Sequence, residues 1–236
     1  MNHNIKKGQQ KLKNSFMKKQ SWVHDRATDA WQALRIHGEF IKGFDELLEI
    51  GPCISVFGSA RTKEDNNFYK LACELGSYVV ESGYGVITGG GPGIMEAANK
   101  GAQNKNGKSI GVSIELPFEA SANEYINKLV SCRYFFTRKV FFLKYSQAFV
   151  AFPGGVGTLD ELFETITLIQ TGHMREVPVV LIGKEFWGGL IDWMKVTMLE
   201  LGNISEKDLD LFYVVDNAEE AIDYLNNKLK DNQPNF

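Results

Sequence analysis

Residues 148–170 read "AFVAFPGGVGTLDELFETITLIQ" and change character twice. The apolar run Ala148–Phe152 has the length and composition of a buried strand. It meets Pro153, Gly154 and Gly155, then Val156 and Gly157, before an apolar pattern of helical period takes over. A strand that passes through a glycine turn directly into a helix is the building unit of parallel α/β folds. The turn also poses a chemical question, because Thr158, Asp160 and Glu161 follow it within one helical turn.

The same texture extends in both directions. Strand-like runs occur at 53–57 ("CISVF"), 85–88 ("GVIT"), 109–116 ("SIGVSIEL"), 128–135 ("KLVSCRYF"), 177–183 ("VPVVLIG") and 211–215 ("LFYVV"). Segments of helical period lie between most of them, among them 68–83 and 218–229, and Trp31, Leu34, Ile41, Phe44 and Leu48 mark a helix over 27–49. Apolar strands alternating with helices predict an α/β fold, a three-layer α/β/α arrangement on a mostly parallel sheet of about seven strands. The expected organisation is a basic tail over 1–26 and a single domain over 27–236 that includes the first helix. The 236 residues suit one such domain, since α/β folds commonly run to about 250 residues undivided.

Charge and cysteine usage narrow the function classes. A net charge of −3 argues against nucleic acid as a partner, because phosphate backbones select basic surfaces. No apolar run approaches the roughly 20 residues of a membrane span, so no membrane partner is expected. The first 20 residues carry six lysines but lack the apolar core of a signal peptide. Three widely spaced cysteines (Cys53, Cys73, Cys132) show no CxxC pairing, and a reduced, cytoplasmic compartment is expected. His3, His24, His37 and His173 form no metal spacing, and neither metal nor cofactor is expected.

Open sheets bind ligands beyond the carboxyl ends of their strands, where the strand order reverses. That directs attention to the turns "FGSART" (57–62), "TGGGPGIMEAAN" (88–99) and "PGGVGTLDE" (153–161). None is a dinucleotide fingerprint. Glycines 89, 91 and 93 are spaced G-x-G-x-G, and the pattern begun by Gly155 and Gly157 meets Asp160 where a third glycine belongs. "GAQNKNGKS" (101–109) has five residues between its glycines, one more than a P-loop, and leads into a strand. Two glycine turns opening helices remain. Such turns offer main-chain N–H groups and a favourable dipole to a phosphate, each charge-assisted bond worth about 1.5–3 kcal/mol. Glu96, Asp160 and Glu161 would repel that phosphate unless they serve another part of the ligand, such as ribose hydroxyls or a water attacking the sugar. Helix-dipole pairing is the plainer alternative for these acids.

The segment "PGGVGTLDE" resembles the PGGxGTxxE signature of the LOG ("lonely guy") family, long mislabelled as lysine decarboxylases. "FGSAR" (57–61), "GGGPGIMEAAN" (89–99) and the pair Arg138–Lys139 match that family's other landmarks in order, over roughly residues 50–216. The resemblance implies a Rossmann-like homodimer or higher homo-oligomer with phosphoribohydrolase activity. Its substrate would be a nucleoside 5′-monophosphate, a cytokinin riboside 5′-monophosphate or AMP, split into free base and ribose 5-phosphate. It implies Glu161 and Arg138 as catalytic residues and Gly154, Gly155, Gly157 and Thr158 as phosphate contacts. Nucleotide contacts would be Ser59, Gly91, Met95 and Glu96, with Lys139 either touching the ligand or supporting the site from outside. One departure is local: Phe135 stands near where the family places a methionine before the arginine. The rival from another class is a non-catalytic, regulatory nucleotide-binding protein on the same fold. A pyridoxal-phosphate-dependent decarboxylase lacks any good context for its Schiff-base lysine.

Overall fold

The computed structural model describes residues 26–115 and 122–230, so the expected basic tail up to residue 25 lies outside the described residues. The chain divides into two units, Met1–Gly38 and Glu39–Phe236. What is described of the first is helical, the opening turns of α1 (Arg26–Leu47). All strands belong to the second.

There, β1 (Cys53–Phe57), β2 (Gly85–Thr88), β3 (Ser109–Ile114), β4 (Lys128–Cys132), β5 (Ser146–Ala151), β6 (Val179–Ile182) and β7 (Tyr213–Val215) form one parallel sheet in the order β4-β3-β2-β1-β5-β6-β7. The helices α2 (Asn67–Glu81), α3 (Ile94–Asn104), α4 (Phe135–Tyr145), α5 (Val156–Gln170), α6 (Lys184–Trp193) and α7 (Ala218–Lys230) follow β1, β2, β4, β5, β6 and β7, and no helix is described between β3 and β4. The order reverses between β1 and β5, whose registers pair Ile54 with Ala148 and Phe57 with Ala151.

The period of a strand assigns the two cores. Ile54, Val56, Ala148 and Val150 pack with Leu75 of α2, Ala97 and Ala98 of α3 and Leu225 of α7. Cys53, Phe57 and Phe149 point the other way, with Phe141 and Phe142 of α4, Leu162 and Ile166 of α5 and Trp187 of α6. On that face Phe40 and Phe44 meet Phe141 edge-on, with centroids 5.9 and 5.4 Å away. Ile41 and Leu48, which helped to mark the first helix in the sequence, stay exposed.

The seven strands match the expected fold, with corrections at their ends. The run read as a strand over 128–135 stops at Cys132, and Phe135 opens α4. Phe135, Phe136 and Val140 look like strand residues, yet the Glu39 carboxylate accepts the Arg133 N–H at 2.7 Å and the Tyr134 N–H at 3.2 Å. It also accepts the Thr137 hydroxyl. A distant acid thus caps this helix, which local propensity does not foretell. Strand β5 begins at Ser146, before the apolar run, because Ser146 and Ser55 hydroxyls pair at 2.6 Å inside the sheet.

Candidate active site

At the switch point, the chains leaving β1 and β5 are pinned to each other. The Phe152 N–H donates to Phe57 O at 2.9 Å and the Ser59 N–H to Pro153 O at 3.1 Å. The Ile94 N–H donates to Ser59 O at 3.1 Å, drawing the turn before α3 into the same crevice. The three turns singled out in the sequence therefore meet. They enclose a cavity of about 760 Å³ lined by Ser59, Met95, Arg138, Gly154, Thr158 and Glu161, among others, including Gly155 and Gly157. A second cavity of about 450 Å³ is bordered by Gly91 and shares Gly89, Met95 and Arg138 with the first.

The glycines of these turns serve different ends. Gly93 has φ 71°, and a Cβ on it would lie 2.3 Å from Ser59 O, so the fold itself requires glycine there. A Cβ on Gly154 would strike the Thr158 side chain at 2.1 Å. Gly155 and Gly157 differ: a Cβ on either would meet nothing within 4 Å among the described residues. Gly155 caps α5 without a side-chain bond, at φ −92°, a conformation open to any residue. The N–H groups of Val156 and Gly157, at the first positions of α5, have no preceding helical carbonyl to bond. No contact among the described residues requires glycine at 155 or 157, and main-chain donors at a helix start can take an anion.

One turn further into α5, the Glu161 carboxylate meets Arg138 of α4, Oε1 to Nη2 at 3.3 Å, with side chains only 8% and 16% exposed. The guanidinium lies over the rings of Phe135 (5.1 Å) and Phe142 (5.7 Å), and its buried Nε has no partner among the described residues. Burial pushes the Glu161 carboxyl above its ordinary range, and the Arg138 and Lys139 cations pull against that shift. The acid therefore holds a proton more readily than an exposed glutamate, which suits a group that must take one up.

Two of the expected ligand contacts stand apart. Lys139 bonds Asp160 at 2.9 Å and also Glu164, and lines neither cavity. Burial lowers its pKa and the bonds to these acids raise it, the bonds prevailing. Glu96 accepts the Tyr69 hydroxyl at 2.7 Å and likewise lines neither cavity. Burial, and then this bond, push the Tyr69 phenol upward. Conversely, Arg61 and Phe142 line the larger cavity without having been singled out in the sequence. Arg61 sits in the quoted "FGSART", where its N–H donates to Ser59 Oγ at 3.1 Å. Phe142 lies one helical turn beyond Arg138, a relation visible only once that segment is known to be helical.

Fold and crevice together define a doubly wound, Rossmann-type α/β protein with a buried acid–guanidinium pair beside a glycine-rich helix start at its switch point. The family model described as "possible lysine decarboxylase" matches residues 95–225. A cytokinin riboside 5′-monophosphate phosphoribohydrolase of Mycobacterium tuberculosis is 32% identical over 158 residues, 65% of this chain and 82% of that protein. One from Arabidopsis thaliana is 30% identical over 185 residues, 77% of this chain and 84% of its own. Among solved structures, a molybdenum cofactor carrier protein of Chlamydomonas reinhardtii superposes with TM-score 0.54 at 27% identity, covering 76% of this chain and 98% of that one. The chain belongs to the LOG family.

Proposed function

We propose that this protein is a nucleoside 5′-monophosphate phosphoribohydrolase, acting on a cytokinin riboside 5′-monophosphate, AMP or both. The observation that carries the reading is the open space beside Gly155 and Gly157, one helical turn from the Arg138–Glu161 pair. The 5′-phosphate takes the N–H groups at the start of α5, with Thr158 beside it, and this anchor sets the ribose against Glu161. Hydrolysis passes through a cation-like sugar. Glu161 orients a water and takes its proton while the water oxygen bonds C1′. The C1′–N bond breaks, and the base leaves with the bond's electron pair and gains a proton from solvent, to which Glu161 then returns the one it took. Arg138 clamps phosphate or the leaving base and holds Glu161 in place; a guanidinium cannot serve as the base.

The family's older description implies pyridoxal phosphate on a lysine. No lysine lines either cavity among the described residues, and Lys139 beside the site is held by two carboxylates. The residues present do not fit that cofactor. A second reading, nucleotide binding without turnover, draws on the likeness to molybdenum cofactor carriers. A panel of nucleoside 5′-monophosphates, with the nucleosides as controls and chromatographic detection of free base, separates the two. Base release from monophosphates alone is expected. Glu161→Gln should keep nucleotide binding while losing turnover by about 10²–10⁴-fold; turnover near the wild-type rate rejects the role given to this acid. We also infer a homodimer in a reducing, cytoplasmic compartment, supported by exposed Phe136 and Val140 on α4 and by three free cysteines.

A further inference from the structure

The turn between β2 and α3 has no role in the mechanism above, yet Gly89 and Met95 at its two ends border both cavities. Met95 is folded back on the turn: a Cβ on Gly89 would lie 2.8 Å from its Sδ, and one on Gly91 2.7 Å from its Cε. Where the turn goes, Met95 goes. The turn includes Gly90 at φ 75°, and glycine leaves the backbone many alternatives.

What holds it is an asparagine from a distant segment. Asn123, on the return from β3 to β4, donates Nδ2 to Gly90 O at 3.2 Å and Gly91 O at 3.0 Å. Its main-chain N–H donates to Gly90 O at 2.9 Å. The same Nδ2 reaches Oδ1 of Asn99 at 3.1 Å, and Asn99 is fully buried. Asn99 in turn accepts the Thr88 hydroxyl at 2.6 Å and donates to Ser109 Oγ at 2.9 Å. Thr88 Oγ1 completes the circuit by accepting the Gly90 N–H at 3.0 Å. A side-chain amide nitrogen thus faces three oxygens, a place that only a donor can fill.

We propose that Asn123 is a positioning residue for the nucleotide, fixing the Gly90–Gly91 turn and through it Met95; this rests on the nucleotide-binding reading above. A turn that must be ordered on binding weakens affinity by the cost of ordering it. Asn127 supplies an internal comparison. It lies on the same return, donates Nδ2 to Gly107 O at 2.8 Å and accepts the Ser109 N–H at 3.0 Å, but makes no such bond to the turn.

The test is titration calorimetry of AMP into the full-length chain carrying Glu161→Gln, so that AMP is bound and not split, with Asn123, Asn123→Asp, Asn123→Ala or Asn127→Ala, and thermal unfolding of each. Both Asn123 variants should bind at least about tenfold more weakly, a difference of ~1.4 kcal/mol. Asn127→Ala should lose comparable stability and keep the affinity of Glu161→Gln alone. That same affinity in the Asn123 variants, or equal loss in Asn127→Ala, overturns the assignment. Should Asn123→Asp not fold, Asn123→Ala decides. A wild type that binds AMP but releases base from no monophosphate of the panel sinks the hydrolase reading, and this one is still decided by affinity. A wild type that binds neither AMP nor a cytokinin riboside 5′-monophosphate overturns both.

Discussion

A methyl group added at Gly157 would touch nothing among the described residues, and the residue sits in the first turn of α5. Alanine there should stabilise the fold by about 0.5–1 kcal/mol, because glycine is the poorer helix former. If a phosphate approaches that backbone, the same methyl obstructs it. Gly157→Ala should therefore raise the melting temperature and raise KM together; a stabilised variant with unchanged KM would remove the cradle. The neighbouring charges make a second prediction. Glu161 faces Arg138, Lys139, Asp160 and Glu164, and Lys139 is one of the cations holding its raised pKa down. Removing that cation in Lys139→Met lets the carboxyl rise further. Activity that needs ionised Glu161 is lost as pH falls through its pKa, so the acid limb of kcat/KM should move to higher pH. At pH values above that limb KM should stay unchanged, since Lys139 lines neither cavity. A limb that stays in place would remove Lys139 from the electrostatics of the pair.

Arg138 reaches Glu161 because α4 starts where it does, and Glu39 sets that start. Glu39→Ala leaves the Arg133 and Tyr134 N–H groups and the Thr137 hydroxyl without their acceptor, at a cost of about 1–3 kcal/mol. The urea midpoint should fall, and turnover should fall beyond what the unfolded fraction explains; full turnover in the remaining folded protein would detach the cap from catalysis. This helix also marks the limit of what the sequence discloses. The β5–α5 unit was legible, because an apolar run, a glycine turn and a helical period succeed one another without a break. At α4 the strand reading ran on to Phe135, and the carboxylate that caps the helix comes from nearly a hundred positions away. Motif reading supplied Arg138 and Glu161 as a pair, whereas the ion pairs of Lys139 and the bond from Tyr69 to Glu96 depend on packing that no spacing expresses.

Taken as a whole, the molecule brings β1 between neighbours of very different origin, β2 close behind it and β5 almost ninety residues on. The parallel order was legible from alternation, while the position of each strand is a tertiary fact. Light scattering tests the inferred assembly: two chains per particle are expected, and Val140→Glu, on the exposed side of α4, should shift the particle toward single chains. A single-chain wild type rejects the dimer. The strand order also bears on biosynthesis. As the polypeptide leaves the ribosome, β1 to β4 can pair before β5 exists, leaving along β1 a bare edge that the finished sheet buries at all five residues. Such an edge is a template for self-association. It is sealed only when Ser146–Ala151 emerges, a few residues ahead of the glycine turn, so a ribosome stalling before that point would release a sticky fragment with no ligand crevice.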